Sequence, residues 1–570
     1  MKTPDIRLSN PMEDAASRLP RLAFWILLGA FILPGLFGRD FWSYDEIRSF
    51  AAVLGVGDAG SLLGTLCPSV LGVPATGTPP LIVWIASFSV AIFGWLTGPE
   101  AAARIAVALF YAAGCAALWF ATWNFSRRHE AQPVTLPFIK KITMRHYARL
   151  MADAALLMAI STLGLFVPMR ELTPAVAAFA LTSGYLLSII WSVDRKPLSV
   201  FLTGLACAFA ALGVDFWFGL VLLAVAALLH VKLHIFDSSS GVRLTWLAAG
   251  FILPFALWFA AAFASDAQGA AAWFSVYAKA QAALYDKGYL EEWLSKNIVW
   301  FAWPVWAYAA YCLKVYAKTR TRTHIRVPLF VTLGIFAGGL VFATEPKVLL
   351  TAMVAPLAVL SGYGVSATKE AARWLDRIST LLATVAVIVL WTGYVAWHAG
   401  RPTFYVEWLS ALSAGAGLSA HGMRIALAIV ATLVWIAMIL WRLGFTHSHF
   451  WKGPWLSAVG ITCVAVIATN LFNTAIDANQ SMRPAAQAMR ADFASLAERG
   501  GCVAALGLEP EQERILAFWG VPFAKGPCAW RLVEEGRLKR EDPEGLRYER
   551  VRPPYSRPDE RRVYLLVKER

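Results

Sequence analysis

Apolar runs as long as a bilayer is thick recur from residue 22 to about residue 473, beginning with LAFWILLGAFILPGLF. A hydrocarbon core near 30 Å takes roughly 20 apolar residues per helix, and unbroken runs of that length exclude an outer-membrane barrel, whose strands alternate. The chain is therefore expected to be a polytopic α-helical membrane protein. Composition agrees, since 58% of the 570 residues are hydrophobic and 15% are charged, outside the range of an ordinary soluble fold. No small-residue cleavage site follows the first run, so it reads as an anchor and not as a removable signal.

Lys and Arg in the short connecting stretches set the orientation. With Lys2, Arg7, Arg18 and Arg21 on the cytoplasmic side, residues 39–80 are external. Counting the run 81–97 as a span would put the basic loop SRRHEAQPVTLPFIKKITMRHYAR outside. That run is therefore expected to be a juxtamembrane helix lying at the interface. Further spans fall near 101–123, 150–168, 174–193, 198–214, 216–235, 244–264, 297–313, 328–344, 348–366, 378–398, 423–441 and 454–473. The total is about thirteen, with most Lys and Arg inside. The external side then holds Glu171, Asp215, the loop 265–296, Glu345 with Lys347, and everything from residue 474.

Two domains are expected: 1–473 in the membrane, with 39–100 as its first periplasmic loop, and 474–570 as a small α/β domain. In the latter, MRPAAQAMRADFASLAER and EQERILAFWG read as helices, and CVAALGL, CAWRLV and RRVYLLVKER as strands. Cys502 and Cys528 each open a strand, so a disulfide between them is open if the tail lies outside the cytoplasm. Cys115, Cys207 and Cys463 lie inside apolar runs and read as core. The formal net charge is +14, but the cations sit where orientation explains them, so no nucleic-acid partner is expected. His129, His146, His447 and His449 fall in cytoplasmic loops, where charged anchoring is the plainer reading than metal binding.

FWSYDEIRSF, directly after the first span, places Asp45 and Glu46 side by side at the membrane exit. Ser43 or Asp45 could cap a helix there, with acids in its first turn. A carboxylate at that depth otherwise needs water, a partner or a chemical task. RELTP puts Glu171 at another external helix boundary, so the two acidic loops form a candidate pair for acid/base or cation-binding work.

Residues 39–120 resemble the first external loop of the aminoarabinose transferases that modify lipid A. These belong with the protein O-mannosyltransferases among the polyprenyl-phosphate-dependent glycosyltransferases of the GT-C fold. The Asp-Glu-x-Arg segment is matched by Asp45, Glu46 and Arg48. LGVPATGTPP, PPLIVWIASFSVAIFGW and PEAAARIAVALF follow in the family's order. Weaker echoes are RELTPAVAAFAL, KNIVWFAWPVWAYAAY, EPKVLLTAMVAPLAVL and AIDANQSMRPAAQAM.

The resemblance implies an inverting transferase of a Gram-negative inner membrane, its active site facing the periplasm. Its donor would be a polyprenyl-phosphate-linked sugar, an amino sugar among the candidates, and its acceptor lipid A or a related envelope glycolipid. The catalytic candidates are Asp45, Glu46 and Glu171. Asp45 would orient or deprotonate the acceptor, Glu46 would hold the loop, and Glu171 would position the acceptor or a divalent ion. The family's Glu-Lys before Pro-Pro is replaced by Gly77 and Thr78, and its Ala-Lys-Gly lysine is absent, with Asp215 nearby. Donor-phosphate candidates are then Arg48, Lys287 and Lys347. Lys287 could equally pair with Asp286 or Glu291, and Lys347 could snorkel from a helix end. Tyr44, Tyr285 and Tyr289 could frame a sugar or lipid phosphate. The alternatives are a protein or polysaccharide transferase with the same donor type, and a non-catalytic or transport protein on the same scaffold. Transport is disfavoured by the lack of mid-span ionisable residues and of a repeat between halves.

Overall fold

The computed structural model describes residues 21–132, 143–193, 197–231, 240–282, 286–412, 418, 422–444, 451–524, 526–541, 548–550, 555–556 and 563–569. Lys2, Arg7, Arg18, Tyr285, His447 and His449 lie outside them.

Among the described residues nine helices are long and apolar enough to cross a membrane, or up to 11 if two bent pairs each count as one span. Ten of the expected spans are there: eight as single helices and two as the bent pairs. Three more appear as shorter apolar helices, Arg21–Ile32, Pro197–Gly213 and Phe216–His230. The bends are 68° between Met144–Ile160 and Leu163–Arg170, and 78° between Lys287–Phe301 and Val305–Val315. At the second, Pro304 has no N–H to continue the ladder. The ninth long helix is Pro80–Thr97. Its first residues adjoin Gly77 and Asp45, and the helix after it, Pro99–Arg127, opens with Glu100 bonded to Arg483. Both ends of Pro80–Thr97 thus lie at one face of the bundle, the face that carries the C-terminal unit.

Pro346–Ala367 runs through the centre, with 94% of its apolar window buried, whereas Lys369–Ala399 and Gly422–Gly444 are peripheral and turn Leu, Ile and Val outward. A helix apolar on every side belongs in the middle of such a bundle, and one with a single packed stripe at its rim. Small residues set the closest approaches. Cβ atoms on Gly204 and Gly250 would fall 2.1 Å from the carbonyl oxygens of Leu247 and Phe201, so Pro197–Gly213 and Ser240–Ser265 cross backbone to backbone.

The same device builds the site. A two-stranded ladder, β1 (Ser69–Val70) with β2 (Val73–Pro74), is pressed against the helix Tyr44–Ala59, because a Cβ on Gly55 would lie 2.1 Å from the Ser69 carbonyl oxygen. The hairpin thereby brings Thr76 and Gly77 to the start of that helix.

The C-terminal unit is the expected α/β arrangement. β3 (Val503–Leu506) pairs in parallel with β4 (Trp530–Glu534), and the connection between them carries the helix Pro510–Phe518. β7 (Val563–Glu569) runs antiparallel to β4, to β5 (Tyr548–Arg550) and to β6 (Tyr555–Ser556). Ala486, Met489 and Phe493 bury one face of Arg483–Glu498, and Cys502 is disulfide-bonded to Cys528 across the strand entries. The unit docks through Phe518 on Phe50 and Trp519 on Phe41, with ring centroids 5.4 and 6.4 Å apart, and through a two-bond pair of Arg514 with Asp58.

Two glycines of one helix make a matched test. Gly55→Ala is expected to cost about 1–3 kcal/mol by overpacking. Gly57→Ala, where a Cβ meets nothing within 4 Å, is expected to be neutral or to stabilise by about 0.5–1 kcal/mol through helix propensity. Thermal unfolding of the two purified variants measures the difference.

Candidate active site

After Arg21–Ile32 the chain turns through Gly35 and Gly38, whose φ values of 79° and 72° suit glycine. The turn buries Arg39. Its guanidinium donates to Glu46 at 2.8 Å through two nitrogens and to the carbonyls of Gly35, Asp40 and Arg170 at 2.8, 2.7 and 2.7 Å. Arg104 closes the other side, 3.6 Å from Glu46 Oε1 and bonded to the carbonyls of Arg39 and Asp40. The Trp42 N–H also donates to Glu46. Burial pushes the Glu46 carboxyl up, but Arg39 and Arg104 more than offset it and hold it below the usual carboxylate range.

Ser43, and not Asp45, caps the helix Tyr44–Ala59, accepting the Glu46 N–H at 3.2 Å. Asp45 is left with 46% of its side chain exposed. Asp45 and Arg48 both line a cavity of about 260 Å³, together with Thr76, Gly77, Asp215, Trp217, Gln281 and Glu345. Arg48 lies across Gly77, where a Cβ would come within 2.8 Å of its Cδ. The glycine that stands where a family acid was expected therefore makes room for this guanidinium. Arg48 is 3.9 Å from Asp45 and 3.8 Å from Glu509, and sits over the Tyr44 ring. Among the described residues it makes no hydrogen bond.

Glu171 and Lys347 stand close by. Glu171 is 4% exposed, and its carboxylate has no hydrogen bond and no ion pair within 4 Å among the described residues. Burial, then the Glu46 charge, pushes its carboxyl up to about 7, against the pull of Lys347 and Arg39. Glu345 is pushed up to about 8 by burial and by Asp45. The Lys347 ammonium faces Glu171, Glu345 and Asp45. Asp215 is raised by burial and accepts the Phe218 N–H at 2.7 Å, capping the next helix. Among the described residues no cluster of three His, Cys, Asp or Glu is arranged to hold a metal ion.

Asp45, Glu171, Arg48 and Lys347 are thus gathered from three separate stretches. Two other candidates are not. Glu46, named as catalytic, has no exposure and is locked between arginines, so it cannot reach a substrate; its part is to hold the loop. Lys287 is exposed at the first position of Lys287–Phe301, off the cavity wall, and Asp286 caps Gly288 instead of pairing with it. Sequence reading passed over Glu345 as an agent, though it stands two residues before Lys347. It also missed the anchors Arg39, Arg104 and Asp477. Asp477 accepts from Trp42 Nε1 at 2.7 Å and from Asn473 at 2.6 Å.

Arg39→Ala leaves a buried carboxylate with half its partners, a loss of about 3–5 kcal/mol. Low yield of folded protein and a depressed unfolding temperature are expected. Glu46→Gln in the same background should recover part of that loss in a thermal melt.

No family model matches the sequence, and no curated protein matches it. Solved structures do. The crystal structure of ArnT from Cupriavidus metallidurans bound to undecaprenyl phosphate superposes with a TM-score of 0.61 at 15% identity, covering 96% of this chain and 97% of that one. The apo form of the same protein gives 0.57 at 16% identity, with 96% of each chain covered. At such identity the likeness is one of fold. The chain is a polytopic α-helical membrane protein of the GT-C fold with a small C-terminal α/β unit, similar in fold to ArnT over 96% of its length.

Proposed function

We propose that the chain is a glycosyltransferase that moves a sugar from a polyprenyl phosphate to lipid A or a related envelope glycolipid, with inversion. One observation carries the reading: an exposed carboxylate, Asp45, stands in a cavity beside a guanidinium, Arg48, whose donors make no hydrogen bond among the described residues. A guanidinium with open donors is built for a phosphate, and a carboxylate near it for the nucleophile. The structure of ArnT, whose fold this chain shares, holds undecaprenyl phosphate.

In this reading the acceptor oxygen attacks the anomeric carbon, with Asp45 orienting it or taking its proton. The bond from that carbon to the phosphate oxygen breaks, and the electron pair leaves on the polyprenyl phosphate. Arg48, together with Lys347, stabilises the developing charge. Glu345, raised to about 8, stays largely protonated at neutral pH, and Glu171, raised to about 7, is about half protonated, so their repulsion of the phosphate is reduced. Of the wall's three acids Asp45 is the exposed one, and its charge favours an amino sugar, whose ammonium would balance it. The C-terminal disulfide supports an oxidising compartment, hence a periplasmic site on a bacterial inner membrane. Residues 1–473 would then be the membrane domain, 474–570 the periplasmic one, and Pro80–Thr97 a juxtamembrane helix.

Two measurements test this. Asp45→Asn should lower sugar transfer by about 10²–10⁴-fold, the usual worth of a positioned acid or base, with normal expression and insertion. The added mass on lipid A should disappear in the mass spectrum of a strain carrying only that variant; a spectrum identical between wild type and deletion strain removes this acceptor. Undecaprenyl phosphate binding to the purified chain should weaken roughly fivefold as pH rises from 6 to 9, because Glu171 and Glu345 gain charge there, about the effect of one partly screened unit charge. Glu345→Gln should flatten that slope.

A further inference from the structure

The contacts around Arg48 join the two units of the chain. Glu509, at the start of the helix Pro510–Phe518, lies 3.8 Å from the Arg48 guanidinium, and its carboxylate accepts the Tyr44 hydroxyl. Glu509 is itself held on the C-terminal sheet. Its N–H donates to Gln512 at 3.1 Å, and Gln512 donates to the Tyr564 hydroxyl at 2.9 Å.

Asp45 and Arg48 are three residues apart on the first turn of one helix, a spacing at which opposite charges readily meet. They stay 3.9 Å apart with no hydrogen bond between them. Glu509 stands 3.8 Å from the same guanidinium, which also lies over the Tyr44 ring and takes the space over Gly77.

We infer that Glu509 is a positioning residue of the Asp45–Arg48 centre, supplied by the C-terminal unit. Its charge draws Arg48 off Asp45, so the carboxylate keeps its oxygens for the acceptor and the guanidinium keeps its donors for the phosphate. The inference rests on the donor reading above. Glu509 is 39% exposed, so its own repulsion of an incoming phosphate is screened by water. At 3.8 Å its pull on Arg48 is screened less than its repulsion of a more distant phosphate, and therefore sets the sign of the effect.

Binding of undecaprenyl phosphate to the full-length chain in detergent provides the test. Glu509→Gln keeps an acceptor for Tyr44 but not the charge, and should weaken binding about tenfold, the effect of one lost charge-assisted contact. Arg514→Ala, which breaks another polar docking contact of the same helix, should stay within about twofold of wild type. In an Asp45→Asn background Arg48 has no carboxylate to collapse onto, so Glu509→Gln should add nothing further. Equal or tighter binding by Glu509→Gln overturns the inference, as does an equal loss in the Asp45→Asn background or in Arg514→Ala. Wild-type protein that fails to bind undecaprenyl phosphate removes the donor reading and the inference together; wild-type binding with no effect of Glu509→Gln removes the inference alone.

Discussion

The carboxylate of Glu46, fixed between Arg39 and Arg104, is the contact on which the rest of the site depends. It ties the exit of the first helix to the start of Tyr44–Ala59 and to Pro99–Arg127, and through the Arg170 carbonyl to the loop that carries Glu171. Successive residues on a helix point about 100° apart. Anchoring Glu46 inward therefore turns its neighbour Asp45 toward the cavity, and Arg48, nearly one turn on, follows it. Taking these charges out of water is costly, and the five donor contacts of Arg39 offset that cost. Specific orientation is what the arrangement supplies.

A second layer of charge ties the C-terminal unit to this core. Arg483 bridges Asp40, at 2.9 Å, and Glu100, at 2.6 Å, and lies over Trp519. Asp40 also receives both Arg39 and Arg104 on its carbonyl oxygen. The unit thus rests on the same few residues that set the direction of Asp45, so its docking and the geometry of the cavity are parts of one network. The cavity itself is unusual in charge. Carboxylates outnumber cations on its wall, and burial eases the imbalance by pushing Glu345 up to about 8, so that it keeps its proton at neutral pH.

Much of the fold is legible in the sequence because a bilayer imposes a length on each apolar run. All thirteen expected spans correspond to helices among the described residues, as single helices, bent pairs or shorter ones. The bends were not legible, because the runs around Leu163 and Pro304 are each long and apolar enough to be read as one span. In the C-terminal unit, the runs opening at Cys502 and Cys528 and the final RRVYLLVKER marked β3, β4 and β7, whereas β5 and β6 were not foreseen. Asp45 and Arg48 could be named from a short motif, and Glu171 from its helix boundary. Glu345 and Glu509 could not, since their meeting with Asp45 and Arg48 is set by packing across hundreds of residues. The departure at Gly77 looked like a loss of chemistry. In the folded chain it is the space that Arg48 fills.

The central claim is that Arg48 and Asp45 together form the reacting centre for a lipid phosphate. A cryo-electron microscopy map of the full-length chain with undecaprenyl phosphate tests it most directly. The account requires the phosphate within hydrogen-bonding distance of the Arg48 guanidinium, with the Asp45 carboxylate facing the same cavity. Density for the phosphate elsewhere, with Arg48 closed onto Asp45, would contradict it.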